Sequence, residues 1–166
     1  MPAAEQLKPL LLGPPVWTLA AAESLTCGHV QARIGSVSGA SGYFLGGITA
    51  YTLDEKVRHL GVTREHAAEN ACVSEQVARE MARGACLLFG SDLAVATTGF
   101  AEQPPPGRGV GPFAWWAIAH HIGGGWVERS GRIEMTAATR VEVQAAVADG
   151  VLSQLIEYVG EARRGR

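Results

Sequence analysis

Between residues 16 and 159, stretches with strand chemistry alternate with stretches of helical spacing, and that alternation restricts the chain to a sheet covered by helices. The apolar run VWTLAAA over residues 16–22 predicts a buried strand. It hands over directly to residues 25–36, where Leu25, Val30 and Ile34 recur at helical spacing. Residues 43–52, YFLGGITAYT, predict a second strand from their aromatic and β-branched content, with Gly46 and Gly47 marking a bulge or a close backbone approach. The following LDEKVRHLG predicts a short helix that ends at Gly61, and Ser74 caps the strongest helical pattern of the chain, which Gly90 terminates. Residues 92–99 predict another buried strand. Residues 113–122 and 126–135 predict two more, joined through GGG as an antiparallel hairpin. Thr136 or Thr139 caps a last helix through Val159, and at the other end residues 3–12 form a short helix stopped by Gly13, Pro14 and Pro15. The expected fold is α/β, a three-layer α/β/α sandwich on a mixed β-sheet in a single domain. Residues 1–15 are expected to form an N-terminal extension or short helix, 16–159 the domain, and 160–166 a flexible basic tail.

With 166 residues, 47% of them hydrophobic and 18% charged, the chain can fill one well-buried core and is too short for two. A formal net charge of −2, with no run of Lys or Arg before the terminal RRGR, leaves no electrostatic footprint for nucleic acid. Gly, Pro or charge interrupts every apolar segment before the roughly 20 residues that span a bilayer, so no membrane partner is expected. Glu5 precedes the N-terminal apolar patch and no basic segment opens it, which is unlike a secretory leader; the expected location is cytoplasmic. Cys27, Cys72 and Cys86 are odd in number and unrelated in spacing, which argues against a disulfide framework. Adjacent Trp115 and Trp116 face opposite sides of a strand, pointing to a buried self-interface and a homo-oligomer.

No metal site is expected, because His29, His59, His66, His120 and His121 show no paired ligand spacing and the adjacent two diverge across a strand. The Gly- and Pro-rich run over residues 100–112 lacks the Lys and Ser/Thr of a P-loop and lies between strands, yet so long a loop in a small domain usually serves function. AAAESLTCG poses the central choice. Ser24 or Thr26 either caps the next helix, or aims a hydroxyl and free amides into the cleft beyond a strand's carboxyl end, where open α/β sheets bind ligands. A serine nucleophile needs a base, and no Ser-His-Asp spacing is visible. Of the two lysines, Lys8 belongs to the N-terminal segment and Lys56 follows the second strand; a buried Lys56 is the candidate base, and a solvated helix residue is the alternative.

Several strings, in order and spread over residues 16–157, together resemble the CinA C-terminal domain family: AESLTCG, GASGYFLGGITAYTLDEKVRHLGV, CVSEQVAREMARGA, DLAVATTGFA and VGPFAWWAI. The resemblance implies a three-layer α/β/α domain. As in the family's nicotinamide mononucleotide deamidases, it also implies hydrolysis of the nicotinamide carboxamide to ammonia and nicotinate mononucleotide, without metal or cofactor. The implied partner is a small-molecule pyridine nucleotide. In this likeness Ser24 is the nucleophile, Lys56 takes its proton, Tyr51 relays or orients it, and amides after Ser24 hold the tetrahedral oxyanion. Thr26, Thr98, Gly99 and Arg140 match substrate-binding positions, with Thr98 and Arg140 on the phosphate or ribose. The chain departs from the family pattern at Cys27, which stands in place of a glycine, and at GFAEQ, where GIAGP is usual. Glu102 replaces a loop glycine and adds bulk and negative charge, and Gln144 stands where a second Arg follows Arg140 by one helical turn. These changes weaken anion binding, so the resemblance leaves two readings: an active amidase, or a catalytically degenerate nucleotide-binding or regulatory homologue.

Overall fold

A computed structural model describes residues 3–136 and 138–165. Among them, five strands form one sheet in the order β2-β1-β3-β4-β5: β1 (Leu19–Glu23), β2 (Phe44–Thr49), β3 (Leu93–Phe100), β4 (Phe113–Ile122) and β5 (Gly125–Glu134). The helices are α1 (Ala3–Leu11), α2 (His29–Gly35), α3 (Leu53–Leu60), α4 (Arg64–Glu69), α5 (Glu75–Phe89) and α6 (Arg140–Arg164), with a 3₁₀ turn at Ala40–Gly42. β1 runs parallel to both β2 and β3, while β3, β4 and β5 pair antiparallel. This is the α/β/α sandwich on a mixed sheet that the alternation of elements predicts.

The two faces of the sheet differ in chemistry. Leu19 and Ala21 of β1, Leu93 and Val95 of β3, and Trp116 and Ile118 of β4 pack with α1, α2 and α6. On the other face the same strands present Ala20, Ala22, Ala94, Ala96, Ala117 and Ala119 to Val77, Met81 and Ala85 of α5. An alanine floor lets a helix lie close, and α5 uses that proximity also towards its helical neighbour. A Cβ on Gly84 of α5 would sit 2.1 Å from the Leu60 carbonyl oxygen of α3, so only glycine fits there. α2, which follows β1, covers one face, whereas α5, on the way from β2 to β3, covers the other. The chain thus leaves β1 towards opposite layers from its neighbours, and a crevice opens beyond the carboxyl ends of the parallel strands.

Several boundaries differ from the sequence reading. β1 begins at Leu19 rather than residue 16, because Trp17 is tied by its amide to the Leu11 carbonyl (2.9 Å) and packs into the core outside the ladder. α4 is an additional short helix. Its six residues carry too little periodicity to announce themselves. α6 continues past Val159 to Arg164, so residues 160–164 are helix and not a flexible tail. Arg163 holds that end: its guanidinium lies 3.6 Å from the Trp17 ring centroid and donates to the carbonyls of Leu10 (2.8 Å) and Pro15 (2.9 Å). α1 in turn buries Ala4, Leu7 and Leu11 in the same core as α6, which makes the N-terminal helix part of the domain and not an extension. Trp116 is a core residue stacked over Gly131 of β5, whereas Trp115, on the opposite face, is half-buried. Among the described residues no helix is long and apolar enough to cross a membrane.

Candidate active site

The junction after β1 is organised by Glu23, the last residue of the strand. Its carboxylate, 1% exposed, turns back under the start of α2 and accepts from the amides of Gly28 (3.0 Å), Val30 (3.0 Å) and Gln31 (2.9 Å). An acid here satisfies three of the amides that a helix start leaves open and complements its partial positive charge. Neither Ser24 nor Thr26 caps the helix, which corrects the capping expectation. The N-cap is Gly28 at φ 96°, and it makes no side-chain capping bond. Thr26 is fully buried, donates to Glu23 (2.6 Å) and meets the Thr97 hydroxyl at 2.7 Å, so it braces the turn and does not reach the cavity as a substrate-binding residue.

With the capping role taken by Glu23, Ser24 is left facing the crevice. Its amide extends the β1–β3 pairing to the Thr97 carbonyl at 3.0 Å, and this fixes the backbone under the side chain. Opposite stands Lys56, carried on the first turns of α3, whose start is capped by Thr52. Lys56 is 0% exposed, and its Nζ lies 2.9 Å from Ser24 Oγ, 2.8 Å from the Ala50 carbonyl and 3.0 Å from the Tyr51 carbonyl. Loss of solvation lowers its pKa to about 8, against an opposing influence from the neighbouring Cys72 sulfur. As an ammonium, Lys56 donates one hydrogen to each of the three oxygens. As a neutral amine it keeps two hydrogens for the two carbonyls, and its lone pair then points at Ser24 Oγ. The site can therefore hold a lysine positioned to take the serine proton near neutral pH.

Ser24 and Lys56 lie in a cavity of about 280 Å³, close to the lower end of the roughly 300–1,000 Å³ usual for small-molecule sites. Thr98 and Gly99 at the end of β3 form part of its wall, and the Thr98 hydroxyl donates to the Cys72 carbonyl at 2.6 Å. Ala71 and Cys72 line the cavity with left-handed backbone, at φ 50° and 62°, in a loop whose contribution the sequence reading missed. A Cβ on Gly99 would meet the Phe113 carbonyl oxygen at 2.3 Å and Ala114 Cα at 2.6 Å, so this glycine is required by the β3–β4 contact. Among the described residues the amides of Leu25 and Thr26, just after Ser24, donate no hydrogen bond.

Tyr51 and Arg140 reach the same cavity, but not in the arrangement expected for a relay. The Tyr51 carbonyl helps hold Lys56, while its hydroxyl turns outward and accepts from Arg140. Arg140 also donates to Glu102 at 3.2 Å. No cluster of three or more His, Cys, Asp or Glu side chains that could hold a metal ion occurs among the described residues. Glu23 is the organising residue that sequence reasoning passed over. Its signal was its place, an acid between a buried strand and a helix start.

The fold and the site together define an α/β/α domain with a buried serine–lysine pair at the carboxyl edge of its parallel strands. The chain belongs to the CinA C-terminal domain family, whose sequence model matches residues 4–159. A CinA-like protein of Chlorobium limicola is 37% identical over 147 residues, covering 87% of this chain and 34% of that protein. A CinA-like protein of Geobacter sulfurreducens is 51% identical over 84 residues, covering 51% of this chain and 20% of that protein. The chain thus spans about a third or less of the curated relatives it matches. Among solved structures, the competence/damage inducible protein CihA of Agrobacterium tumefaciens superposes with a TM-score of 0.81 at 26% identity, over 95% of both chains. A competence-damaged protein (CinA) superfamily member of Klebsiella pneumoniae gives a TM-score of 0.85 at 24% identity over 96% of both chains, a likeness of fold.

Proposed function

We propose that this chain is an amidohydrolase that converts nicotinamide mononucleotide to nicotinate mononucleotide and ammonia through Ser24 and Lys56. The single observation that carries the reading is the 2.9 Å contact between Ser24 Oγ and a fully buried Lys56 Nζ whose other hydrogens are committed to two carbonyls. In the first step Lys56 takes the Ser24 proton as Oγ bonds to the carboxamide carbon, and the carbonyl oxygen becomes an oxyanion for which the unpaired amide of Leu25, a residue of the cavity wall, is the candidate donor. The Lys56 ammonium then protonates the nitrogen as the C–N bond breaks, releasing ammonia and leaving an acyl ester on Ser24. Water, deprotonated by Lys56, attacks that ester; the C–O bond to Ser24 breaks, and the serine recovers its proton as the carboxylate product leaves. Because Thr98 donates its own hydrogen to Cys72, its oxygen is free to accept from the carboxamide N–H. Arg140 is the cation for the phosphate end, and Tyr51 positions both Lys56 and Arg140.

Ammonia release from nicotinamide mononucleotide tests the proposal. The wild-type protein is expected to turn over, and Ser24→Ala and Lys56→Ala to lose at least about 10³-fold in kcat/KM. Full activity in folded Ser24→Ala protein would sink the mechanism. One observation favours a second reading, a binding or regulatory homologue: Glu102 already pairs with Arg140, the anion-binding candidate. Nucleotide binding by calorimetry without turnover would select it.

A further inference from the structure

The outer wall of the cavity is a linked group of side chains. Arg140 begins α6, where a capping box between Thr139 and Glu142 fixes the helix start. Its Nη1 donates to Glu102 Oε2 at 3.2 Å and its Nη2 donates to the Tyr51 hydroxyl. All three residues line the cavity that contains Ser24. Lys56 and Arg140 are the cations among the described lining residues, and Lys56 is buried against Ser24 and two carbonyls. Arg140 is therefore the cation left for the outer part of a ligand, and a carboxylate already lies on it. The second oxygen of Glu102, Oε1, makes no hydrogen bond among the described residues.

A phosphate monoester carries close to two negative charges at neutral pH and must compete with Glu102 for one guanidinium. The side chains of Arg140 and Glu102 are 42% and 68% exposed, so their pairing is screened and a phosphate can displace it. The displaced carboxylate still faces the phosphate, and the repulsion offsets much of what Arg140 contributes. An uncharged tail carrying hydroxyl groups meets neither cost. It donates to Glu102 Oε1 and leaves the Arg140 pair in place.

We propose that Glu102 is a specificity-determining residue: by occupying Arg140 as an internal carboxylate, it cancels the advantage of a phosphate, so that the site accepts a nucleoside carboxamide whose tail carries only hydroxyl groups as readily as its phosphate monoester. The inference rests on the amidohydrolase reading of the same site. It is tested with nicotinamide mononucleotide and nicotinamide riboside as paired substrates. In the wild-type protein the ratio of their kcat/KM values is expected to lie near one, and Glu102→Gln, which keeps the shape and removes the charge, should raise it roughly 3- to 10-fold. Adding Arg140→Gln should abolish that rise, as a coupled pair requires. A strong wild-type preference for the mononucleotide, or a ratio that Glu102→Gln does not move, overturns the inference. Calorimetric binding of both compounds to the Ser24→Ala protein and its Glu102→Gln derivative reads the same discrimination without turnover. Absence of ammonia release in every protein thus rejects the reaction alone, whereas an unmoved binding ratio rejects the role of Glu102.

Discussion

Glu23 turns its carboxylate back onto the amides of Gly28, Val30 and Gln31, and its neighbour Ser24 is thereby left as the hydroxyl that faces Lys56. One residue fixes the turn and the next is presented by it. The division of labour explains how a serine sits at a helix start without being consumed by the helix.

Replacing Glu23 tests this. Glu23→Ala removes the acceptor for three amides and for the Thr26 hydroxyl in a buried setting, and is expected to cost about 3 kcal/mol, measured by urea denaturation. Glu23→Gln, which turns an acceptor oxygen into a donor facing amides, should fall between the two. An unchanged midpoint for Glu23→Ala would mean that the turn is held by something else.

Lys56 gives a prediction with a definite sign. Its pKa is lowered to about 8 in the folded protein, and the unfolded chain has an ordinary lysine near 10.4, so between these values the unfolded state binds more protons. Burial of the charge therefore costs stability in full below pH 8, and the cost is relieved as pH rises towards 10.4. The stability of wild type relative to Lys56→Met should rise across that window, by about 3 kcal/mol in total. A difference that stays flat from pH 7 to 10 contradicts it. Under the proposed amidohydrolase reading, the same group predicts a rate that climbs with pH and levels off above about 8.

Gly99→Ala is expected to destabilise by about 3 kcal/mol, because its Cβ would meet backbone atoms of β4 at 2.3 and 2.6 Å that cannot move aside. Gly107→Ala is the contrast: its φ of 82° strains an alanine, but nothing lies within 4 Å, so about 1 kcal/mol is expected. Thermal melting of the two variants decides whether space or conformation governs these glycines.

Arg163→Ala removes a guanidinium stacked on Trp17 and its bonds to the carbonyls of Leu10, Leu11 and Pro15, and should cost about 2 kcal/mol. A shift in tryptophan fluorescence should accompany the loss. If neither stability nor emission changes, the last turn of α6 is not anchored by this contact.

These residues also mark what could be read from sequence. Long elements were legible because their chemistry repeats: α5 falls between Ser74 and Gly90 as cap and terminator predict, and β4 occupies residues 113–122. The turn after β1 was not, because Glu23 acts on amides five to eight positions ahead and apolar periodicity carries no trace of that. Residues 160–164 read as a polar tail for a similar reason. Their partner, Trp17, lies at the other end of the chain. Within the site, Lys56 was a candidate base from its place after the second strand, and family likeness rather than spacing decided for its approach to Ser24. The outward turn of the Tyr51 hydroxyl and the Glu102–Arg140 pair needed three dimensions.

The sheet order has a consequence for how the cavity comes into being. Ser24 follows β1, Lys56 lies on the helix after β2, Thr98 lies near the end of β3 and Arg140 begins α6, so every crossover between the parallel strands must close before the four share one space. The shortest fragment that contains all four, residues 24–140, lacks β1, the strand that positions Ser24. On the amidohydrolase reading, activity is then a late reporter of folding, lost wherever one of these crossovers fails to close.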